Sequence, residues 1–587
     1  MSEYHAPLDE MNFVVNRLLD LPILASKINH ADANEDLLQA VLFEADKLAS
    51  QVWAPINATG DQQGVKLEAE GVKVAAGFKQ AYQEYSRGGW NGLYFEPEFG
   101  GQGLPFSFSM PVAEMMQAAN ISLGLCPMLT AGAIEAISAH GSDVIKQTYL
   151  EKMITGEWTG TMNLTEPHAG TDLAAIKSSA TPKGDHYLIK GQKIFITWGD
   201  HDMTDNIIHL VLAKLPDAPA GVKGISLFLV PKFLLNDDGS LGERNDAYAI
   251  NVEHKMGIHA SPTCVMSYGD SGGAVGYLVG QPHGGLAAMF TMMNNERLVV
   301  GLQGVGLSDR AYQAAVAYAK DRVQCAAPGQ KQRGAIIHHP DVRRMLMTMR
   351  SLTEAGRAIA YVTAAQIDLS HKASDPEARA QARMRVGLLT PIAKGWCTEV
   401  SQEATSLGVQ VHGGMGFIEE TGAAQHQRDA RILTIYEGTT GIQALDLVGR
   451  KTLFDQGAAM ADLVAQMRTD LALYGSAMSQ LHQQHMLEAI NGLESSYQLL
   501  LANAPDDLMF AGAVSFDMLM LSGYVCGAWQ MMRSAGLVAG EANLSFKANK
   551  LATVSYYLDH ILPRFEGHRR SIVAGSNSVM AIGADSL

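Results

Sequence analysis

The chain has 587 residues, too many for one ordinary hydrophobic core, so its length predicts several domains. Its composition is typical of a globular protein, with 60 acidic residues against 44 basic ones and a formal net charge of −16. Because so acidic a chain repels phosphate backbones at long range, nucleic acid is not the expected partner.

Cysteine usage and the N-terminus bear on the cellular compartment. The cysteines are odd in number, widely spaced and without a CxxC pair, which argues against a disulfide framework and a zinc ribbon. We expect buried thiols in a reducing compartment at Cys126, Cys264, Cys325, Cys397 and Cys526. The acidic first ten residues lack the basic region and apolar core of a signal peptide, so a cytoplasmic location is expected.

Two kinds of segment follow each other in the first half of the chain. Apolar residues recur at helical spacing up to residue 158, for example at Leu38, Leu42 and Ala45, which predicts an N-terminal helical domain over 1–158. From 159 to 285 the pattern changes to short alternating or apolar runs separated by Gly, Pro and Asp, which predicts a small β domain. Its strands are expected at 186–190, 193–197, 207–213 and 224–230.

Helical spacing returns in the second half of the chain. It predicts a helical bundle over 286–455 and an additional helical domain over 456–587. The apolar run 509–532 is about as long as a membrane span, roughly 20 residues. Because Asp517 and several glycines interrupt it, we expect a buried bundle helix and no integral membrane segment.

No metal site is predicted from the sequence. His482 and His485 share a helical face, but no acidic or cysteine partner is near them in the sequence. A solvated helix surface is the better interpretation of this pair.

Glu437 is the residue that most favours catalysis. It lies in the run Ile435-Tyr436-Glu437-Gly438-Thr439, on a Gly- and Thr-rich turn before a new helical pattern. Glycine lets the backbone approach a ligand closely, and the neighbours Ile435 and Tyr436 are expected to keep the carboxylate partly dry and more basic. Most glutamates on turns are solvated surface groups, so other motifs must support this hypothesis.

Three motifs upstream of Glu437 supply that support. They are Met162-Asn163-Leu164-Thr165-Glu166-Pro167-His168-Ala169-Gly170-Thr171-Asp172, then Lys193-Ile194-Phe195-Ile196-Thr197, then Val411-His412-Gly413-Gly414-Met415-Gly416-Phe417. Taken together, and in this order, they resemble the acyl-CoA dehydrogenases, flavoenzymes that desaturate acyl thioesters. The resemblance runs from about residue 90 to about residue 450.

The resemblance implies a fold that agrees with the pattern of elements. The expected fold class is mainly α with a β insert: an N-terminal helical domain, a small β-barrel-like middle domain and a C-terminal helical bundle. The extra helical C-terminal domain and the opening Ala6-Pro7-Leu8 resemble a longer subgroup of the family, the 3-methylmercaptopropionyl-CoA dehydrogenase type.

The resemblance also implies roles for particular residues. Glu437 is the implied base that removes the proton next to the thioester carbonyl while a hydride leaves for the flavin. Implied substrate-binding residues are Arg297, Thr171 and Gly438. Implied FAD-binding residues are Met162, Leu164, Thr165, Thr171, Phe195, Thr197, Arg322, Gln410, Gly414 and Thr439. Phe195 stands where the family usually has tryptophan.

Partners and alternatives complete these expectations. The resemblance implies FAD, an acyl-CoA thioester, electron-transfer flavoprotein as the acceptor, at least a dimer, and a role in fatty acid β-oxidation. An acyl-CoA oxidase that uses oxygen is the nearest alternative, since the sequence does not reveal how well the flavin is shielded. A non-catalytic, DNA-associated relative is the second alternative, and both the acidic charge and the Glu437 turn argue against it.

Overall fold

The structure of the protein, a computed structural model, describes residues 3–587 apart from the side chain of Met292. Met1 and Ser2, with which the predicted N-terminal domain begins, lie outside the described residues. The described chain divides into two compact units. The helical unit comprises residues 3–46, 105–118 and 297–587, and the mixed unit comprises residues 47–104 and 119–296.

Eighteen α-helices are described. In chain order they are α1 Leu8–Phe13, α2 Leu21–Lys27, α3 Glu35–Leu48, α4 Asn57–Gln63, α5 Phe78–Arg87, α6 Phe106–Ala119, α7 Ile121–His140, α8 Asp143–Ile154, α9 Gly285–Asp321, α10 Pro340–Lys372, α11 Pro376–His412, α12 Ala423–Ala430, α13 Thr440–Leu445, α14 Ala458–Tyr474, α15 Gln480–Asn503, α16 Phe510–Leu537, α17 Leu544–Tyr556 and α18 Arg564–Ala574. Side-chain caps begin several of them. Asn120 accepts from the backbone N–H of Leu123 at the start of α7, and Asp375 does so from Glu377 at the start of α11.

Twelve β-strands are described, all in the mixed unit. They are β1 Lys66–Glu68, β2 Gly71–Lys73, β3 Thr159–Asn163, β4 Ser179–Lys183, β5 His186–Thr197, β6 Ile207–Lys214, β7 Ile225–Pro231, β8 Phe233–Leu235, β9 Leu241–Arg244, β10 Ala247–Val252, β11 Thr263–Tyr268 and β12 Ala274–Val279. The main sheet runs in the order β10-β11-β5-β12-β7-β6-β3, with β4 paired to β5 and β6. Its pairs are antiparallel except β3 with β6 and the single β4–β6 contact. The predicted barrel-like β domain is thereby confirmed.

Two strand predictions needed correction. The runs 186–190 and 193–197 form one continuous strand, β5, because Gly191 adopts a φ of 151° that lets the chain bend without leaving the sheet. The short hairpin of β1 and β2 lies in a region predicted to be helical throughout. Gly71, with a φ of 130°, follows its turn, and a three-residue strand is too short to give a readable alternation.

Apolar side chains form separate cores in the two units. In the mixed unit, α7 and α8 cover one face of the sheet, with Ile134, Ile137 and Leu150 packed against Leu210 and Leu227. In the helical unit, α9, α10 and α11 share a core that includes Ala311, Met349 and Val411. The hydrophobic spacing of these helices is therefore explained by burial within each unit.

The expectations for thiols and for the long apolar run have mixed outcomes. Cys325 is exposed, against the expectation that all five cysteines are buried, because it lies in the loop after α9.

Within the described residues, α7 and the segment Phe510–Gly540 are long and apolar enough to cross a membrane. Both are mostly buried inside the protein, as core helices are. Asp517, inside the second, is paired with His568 at 2.8 Å.

Candidate functional site

Glu437 lies on a strained turn in the helical unit. The turn connects a short 3₁₀ segment, Arg431–Thr434, to α13, and Thr439 caps α13 by accepting a hydrogen bond from the backbone N–H of Ile442. Glu437 has a φ of +54° and Gly438 a φ of +87°. A left-handed backbone at a residue other than glycine costs about 1–3 kcal/mol and persists only where surrounding contacts hold it. Such strain is typical of functional sites.

Two side chains hold the strained turn. The ammonium group of Lys394, on α11, donates to the carbonyl oxygens of Leu433 at 2.8 Å and Gly438 at 2.6 Å. The Gln443 amide, on α13, donates to the carbonyl oxygen of Glu437 at 3.2 Å. Lys394 thus fixes carbonyls on both sides of the strained residue, and Gln443 fixes the carbonyl of Glu437 itself, so buried side chains hold the backbone of the turn.

Close packing of α9 against α11 brings two cations toward this turn. A Cβ at Gly301 would lie 2.6 Å from the carbonyl oxygen of Ala393, and a Cβ at Gly304 would lie 2.7 Å from that of Cys397. Only glycine permits this approach of the two helix backbones. Arg297 precedes Gly301 by about one turn of α9, and Lys394 follows Ala393 directly, so both cations act on Glu437.

The electrostatic environment makes Glu437 a stronger base than an exposed glutamate. Burial raises its pKa above the ordinary value, and the positive charges of Arg297 and Lys394 oppose that rise without cancelling it. The neighbouring Tyr436 is half-buried, and its hydroxyl donates to the side-chain oxygen of Gln303. The expectation that Ile435 also shields the carboxylate is wrong, because its side chain is 47% exposed.

Arg297 offers a buried hydrogen-bond donor to a ligand. Its side chain is buried, and its Nε has no hydrogen-bond partner within residues 3–587. A buried donor without a partner costs free energy unless a ligand satisfies it. This observation fits the substrate-binding role predicted for Arg297, since a thioester oxygen is an acceptor.

In the mixed unit, two predicted flavin-binding segments come together. The backbone N–H of Ile194 donates to the carbonyl oxygen of Thr165 at 2.9 Å, and the Lys193 ammonium donates to that of Leu164 at 3.0 Å. Lys193 also pairs with Glu166 at 2.9 Å. Burial alone would raise the pKa of Glu166, but Lys193 and nearby N–H groups lower it to about 2. The two segments are therefore held together, whereas Met162, in β3, is buried in the core of the mixed unit.

Phe195 and Thr197 differ in how far they are exposed to solvent. Phe195 is 59% exposed and has a φ of +59°, so its ring is turned out of the β5 alternation. Thr197 is half-buried and pairs with Thr263 of β11. An exposed aromatic ring on a segment that also carries a half-buried threonine fits a planar aromatic cofactor, and the residues present thus fit FAD.

Thr171 lies near the end of the first of these two segments. It is exposed on the loop that follows the Glu166–Ala169 bridge, and its carbonyl oxygen accepts from the backbone N–H of Leu173. Its hydroxyl is free to reach a ligand, which is compatible with the predicted binding role.

The glycine-rich segment after α11 is open. Gln410 is exposed in the last turn of α11, and added Cβ atoms at Gly413 and Gly414 would meet nothing within 4 Å. His412 packs against Tyr318 of α9 at a ring distance of 4.5 Å. Arg322 follows α9 and is exposed. The structure thus places the ends of α9 and α11 side by side, with their predicted cofactor-binding residues facing solvent.

Sequence reasoning missed Lys394 and Gln443. The only available signal for Lys394 was a charged residue within the apolar run Ile392-Ala393-Lys394-Gly395-Trp396, whose buried side chains belong to α11. A lysine in such a run is buried only when its ammonium group finds acceptors. Gln443 carried no comparable signal, since glutamine is ordinary in a helix.

The described residues offer little to a metal ion. No group of three or more His, Cys, Asp or Glu side chains suited to a metal was found within residues 3–587. His482 does have an acidic neighbour, Asp559 at 3.0 Å, which was invisible from sequence because 77 positions separate them.

Family comparisons cover nearly the whole chain. Residues 39–157 match the acyl-CoA dehydrogenase N-terminal domain, and 161–270 match its middle domain. Residues 283–452 match the acyl-CoA dehydrogenase C-terminal domain, and 458–583 match the acetyl-CoA dehydrogenase C-terminal-like domain.

Individual relatives are similar over their full length. A 3-methylmercaptopropionyl-CoA dehydrogenase of Ruegeria pomeroyi is 44% identical, with 98% of this chain and 99% of the relative covered. A butyryl-CoA dehydrogenase of Syntrophomonas wolfei is 34% identical, with 98% of each chain covered. The crystal structure of an acyl-CoA dehydrogenase complexed with FAD from Bacillus anthracis has a TM-score of 0.74 at 21% identity, covering 93% of this chain and 89% of that one.

Proposed function

This chain belongs to the acyl-CoA dehydrogenase family, and from that premise we propose that it is a FAD-dependent enzyme that desaturates an acyl-CoA thioester. The product is the trans-2,3-enoyl-CoA, and electrons pass on to electron-transfer flavoprotein. The single observation that carries the proposal is the half-buried, strained turn that holds Glu437 near Arg297 and Lys394.

Glu437 is the proposed base for the α-proton. Burial raises the pKa of Glu437, and a carboxylate with a raised pKa is a stronger proton acceptor than an exposed glutamate. Arg297 and the backbone N–H of Glu437 stabilise the negative charge that develops on the thioester oxygen as the proton leaves. The C–H bond electrons of the α-carbon become part of the new double bond.

FAD, when bound, supplies the acceptor for the hydride from the β-carbon. Residues that would hold it are Met162, Leu164, Thr165, Thr171, Phe195 and Thr197 of the mixed unit. The open residues Arg322, Gln410 and Gly414 would contact the cofactor of a second subunit, so we propose at least a dimer. Thr439 is a further proposed contact to FAD. Support for FAD comes from the exposed Phe195 ring and from the Bacillus anthracis structure, which is a complex with FAD.

The names of the relatives favour a short acyl chain. The two relatives act, by name, on 3-methylmercaptopropionyl-CoA and butyryl-CoA, and both acyl groups are short. We therefore propose a short-chain acyl-CoA as substrate, with or without sulfur in the chain.

The test is reduction of the flavin by thioesters without oxygen. Purified protein is expected to be yellow, and butyryl-CoA or 3-methylmercaptopropionyl-CoA should bleach the flavin faster than palmitoyl-CoA. A protein that neither holds nor takes up FAD, or whose flavin no thioester reduces, would overturn the proposal.

Two further measurements distinguish the alternatives. Rapid reoxidation by oxygen with release of hydrogen peroxide would identify an oxidase, whereas reoxidation only by electron-transfer flavoprotein supports a dehydrogenase. Salt-dependent binding to duplex DNA without flavin reduction would indicate the non-catalytic relative.

Light scattering should report at least a dimer, and a fully flavinylated monomer would contradict the proposed assembly.

A further inference from the structure

Lys394 is a buried cation whose contacts all serve the Glu437 turn. Its side chain is fully buried on α11, and its ammonium group donates to the carbonyl oxygens of Leu433 and Gly438. Burying a lysine is unfavourable unless its charge is paired and its N–H groups are hydrogen-bonded. Because burying Lys394 is unfavourable, its position beside the proposed base indicates that it has a function there.

We propose that Lys394 is a positioning residue for Glu437, which holds the strained turn in place through two backbone carbonyls and, while it is protonated, favours the ionised carboxylate through its positive charge. The inference rests on the proposed function of Glu437 as the base.

The geometry supports the positioning role. Leu433 precedes Glu437 by four residues and Gly438 follows it directly, so one ammonium group spans the turn from both sides. Glu437 and Gly438 both have left-handed φ values, of 54° and 87°. A turn in this conformation relaxes toward ordinary backbone angles unless its carbonyls are fixed. Gln443 fixes one more carbonyl, but it carries no charge.

The charges around Lys394 support the electrostatic role. Burial lowers the pKa of Lys394 to about 7, and Glu437 is the strongest opposing influence. Arg297, on α9, lowers the pKa further, and Glu399, on α11, raises it. Removing the ammonium group therefore removes a cation from Glu437, and an opposite charge at short range favours the ionised carboxylate. The pKa of Glu437 must then rise.

The experiment compares three variants of the flavin-loaded enzyme. In Lys394→Met, flavin reduction by a good thioester should slow by about 10²-fold, because the base is no longer held in place. The pH below which the reduction rate of Lys394→Met falls, the acidic limb of its pH profile, should also rise by about one pH unit. Lys394→Arg keeps the charge, so it should be slower than wild type without a shift of the acidic limb. Gln443→Met is the uncharged control, and it should also slow reduction without that shift.

A second readout needs no substrate. Hydrogen exchange of the peptide covering residues 434–444 should become faster in Lys394→Met than in wild type, while peptides of β6 and β7 should exchange as before. A purely structural lysine would destabilise the protein broadly and leave the pH profile in place.

The outcomes separate this inference from the proposed function. If thioesters reduce wild-type flavin but Lys394→Met keeps its rate, its acidic limb and its exchange, the inference is wrong and the function stands. If no thioester reduces the wild type, the function fails, and hydrogen exchange alone decides whether Lys394 holds the turn. If Lys394→Met does not fold, Lys394→Gln decides, because it removes the charge: a wild-type rate, acidic limb and exchange of the turn would overturn the inference.

Discussion

Replacing Glu437 by glutamine should stop catalysis without harming the fold. Glutamine keeps the size of the side chain but cannot accept the α-proton, and a general base contributes about 10²–10⁴ in rate, or about 2.7–5.4 kcal/mol. Because burial outweighs the two nearby cations and raises the pKa of Glu437, the lost base is a strong one. We therefore expect a loss near the upper end, about 10⁴-fold.

The same argument predicts the stability of the variant. A carboxylate with a raised pKa is less favourable when ionised in the folded protein than in the unfolded chain. The ionised side chain therefore lowers stability above its unfolded pKa, and the neutral amide removes this contribution. We expect Glu437→Gln to unfold at the same urea concentration as wild type or at a higher one.

The assay is stopped-flow reduction of the flavin by butyryl-CoA without oxygen, over a range of pH. The wild-type rate should fall on the acidic side as pH decreases through the pKa of Glu437, since only the ionised form accepts a proton. Glu419→Gln is the matched control, because Glu419 is an exposed carboxylate paired with Arg428. Reduction of the Glu437→Gln flavin within about tenfold of wild type would refute the assignment, and Glu420 would then be tested as the base.

Three other predictions concern stability. Arg357→Met should cost about 3–5 kcal/mol in urea unfolding, because it leaves Glu114 and Asp309 as buried carboxylates that have lost their common cation; a loss below about 1 kcal/mol would contradict this. Burial lowers the pKa of His209 to about 3, so its contribution should make stability fall as pH drops below the unfolded value of about 6.5, by at most about 1.4 kcal/mol per pH unit from this residue. His209→Gln should flatten that slope, and an unchanged slope would assign it to other groups. Removing residues 456–587 should cause aggregation, since α16 packs on α10 and α11, and a soluble, fully active truncated enzyme would contradict this.

Much of the architecture could be predicted because it depends on local spacing. Apolar residues at helical spacing gave the helices of both halves, and alternating runs between Gly, Pro and Asp gave the β domain. The predicted boundaries at 158, 285 and 455 stay predictions. The turn of Glu437 was also readable, since Glu-Gly-Thr-Thr before a helical pattern predicts a turn and a helix cap.

Tertiary structure decided what surrounds Glu437. Lys394 lies 43 positions before it in the sequence and Arg297 lies 140 positions before it, and no local pattern links them. They act together because Gly301 and Gly304 allow α9 to approach α11 closely. The pKa of Glu437 follows from the balance between burial and these two charges, so it is a property of the packed helices. The sequence alone determined which residue is the candidate base, whereas its strength and its direction depend on contacts that only the fold creates.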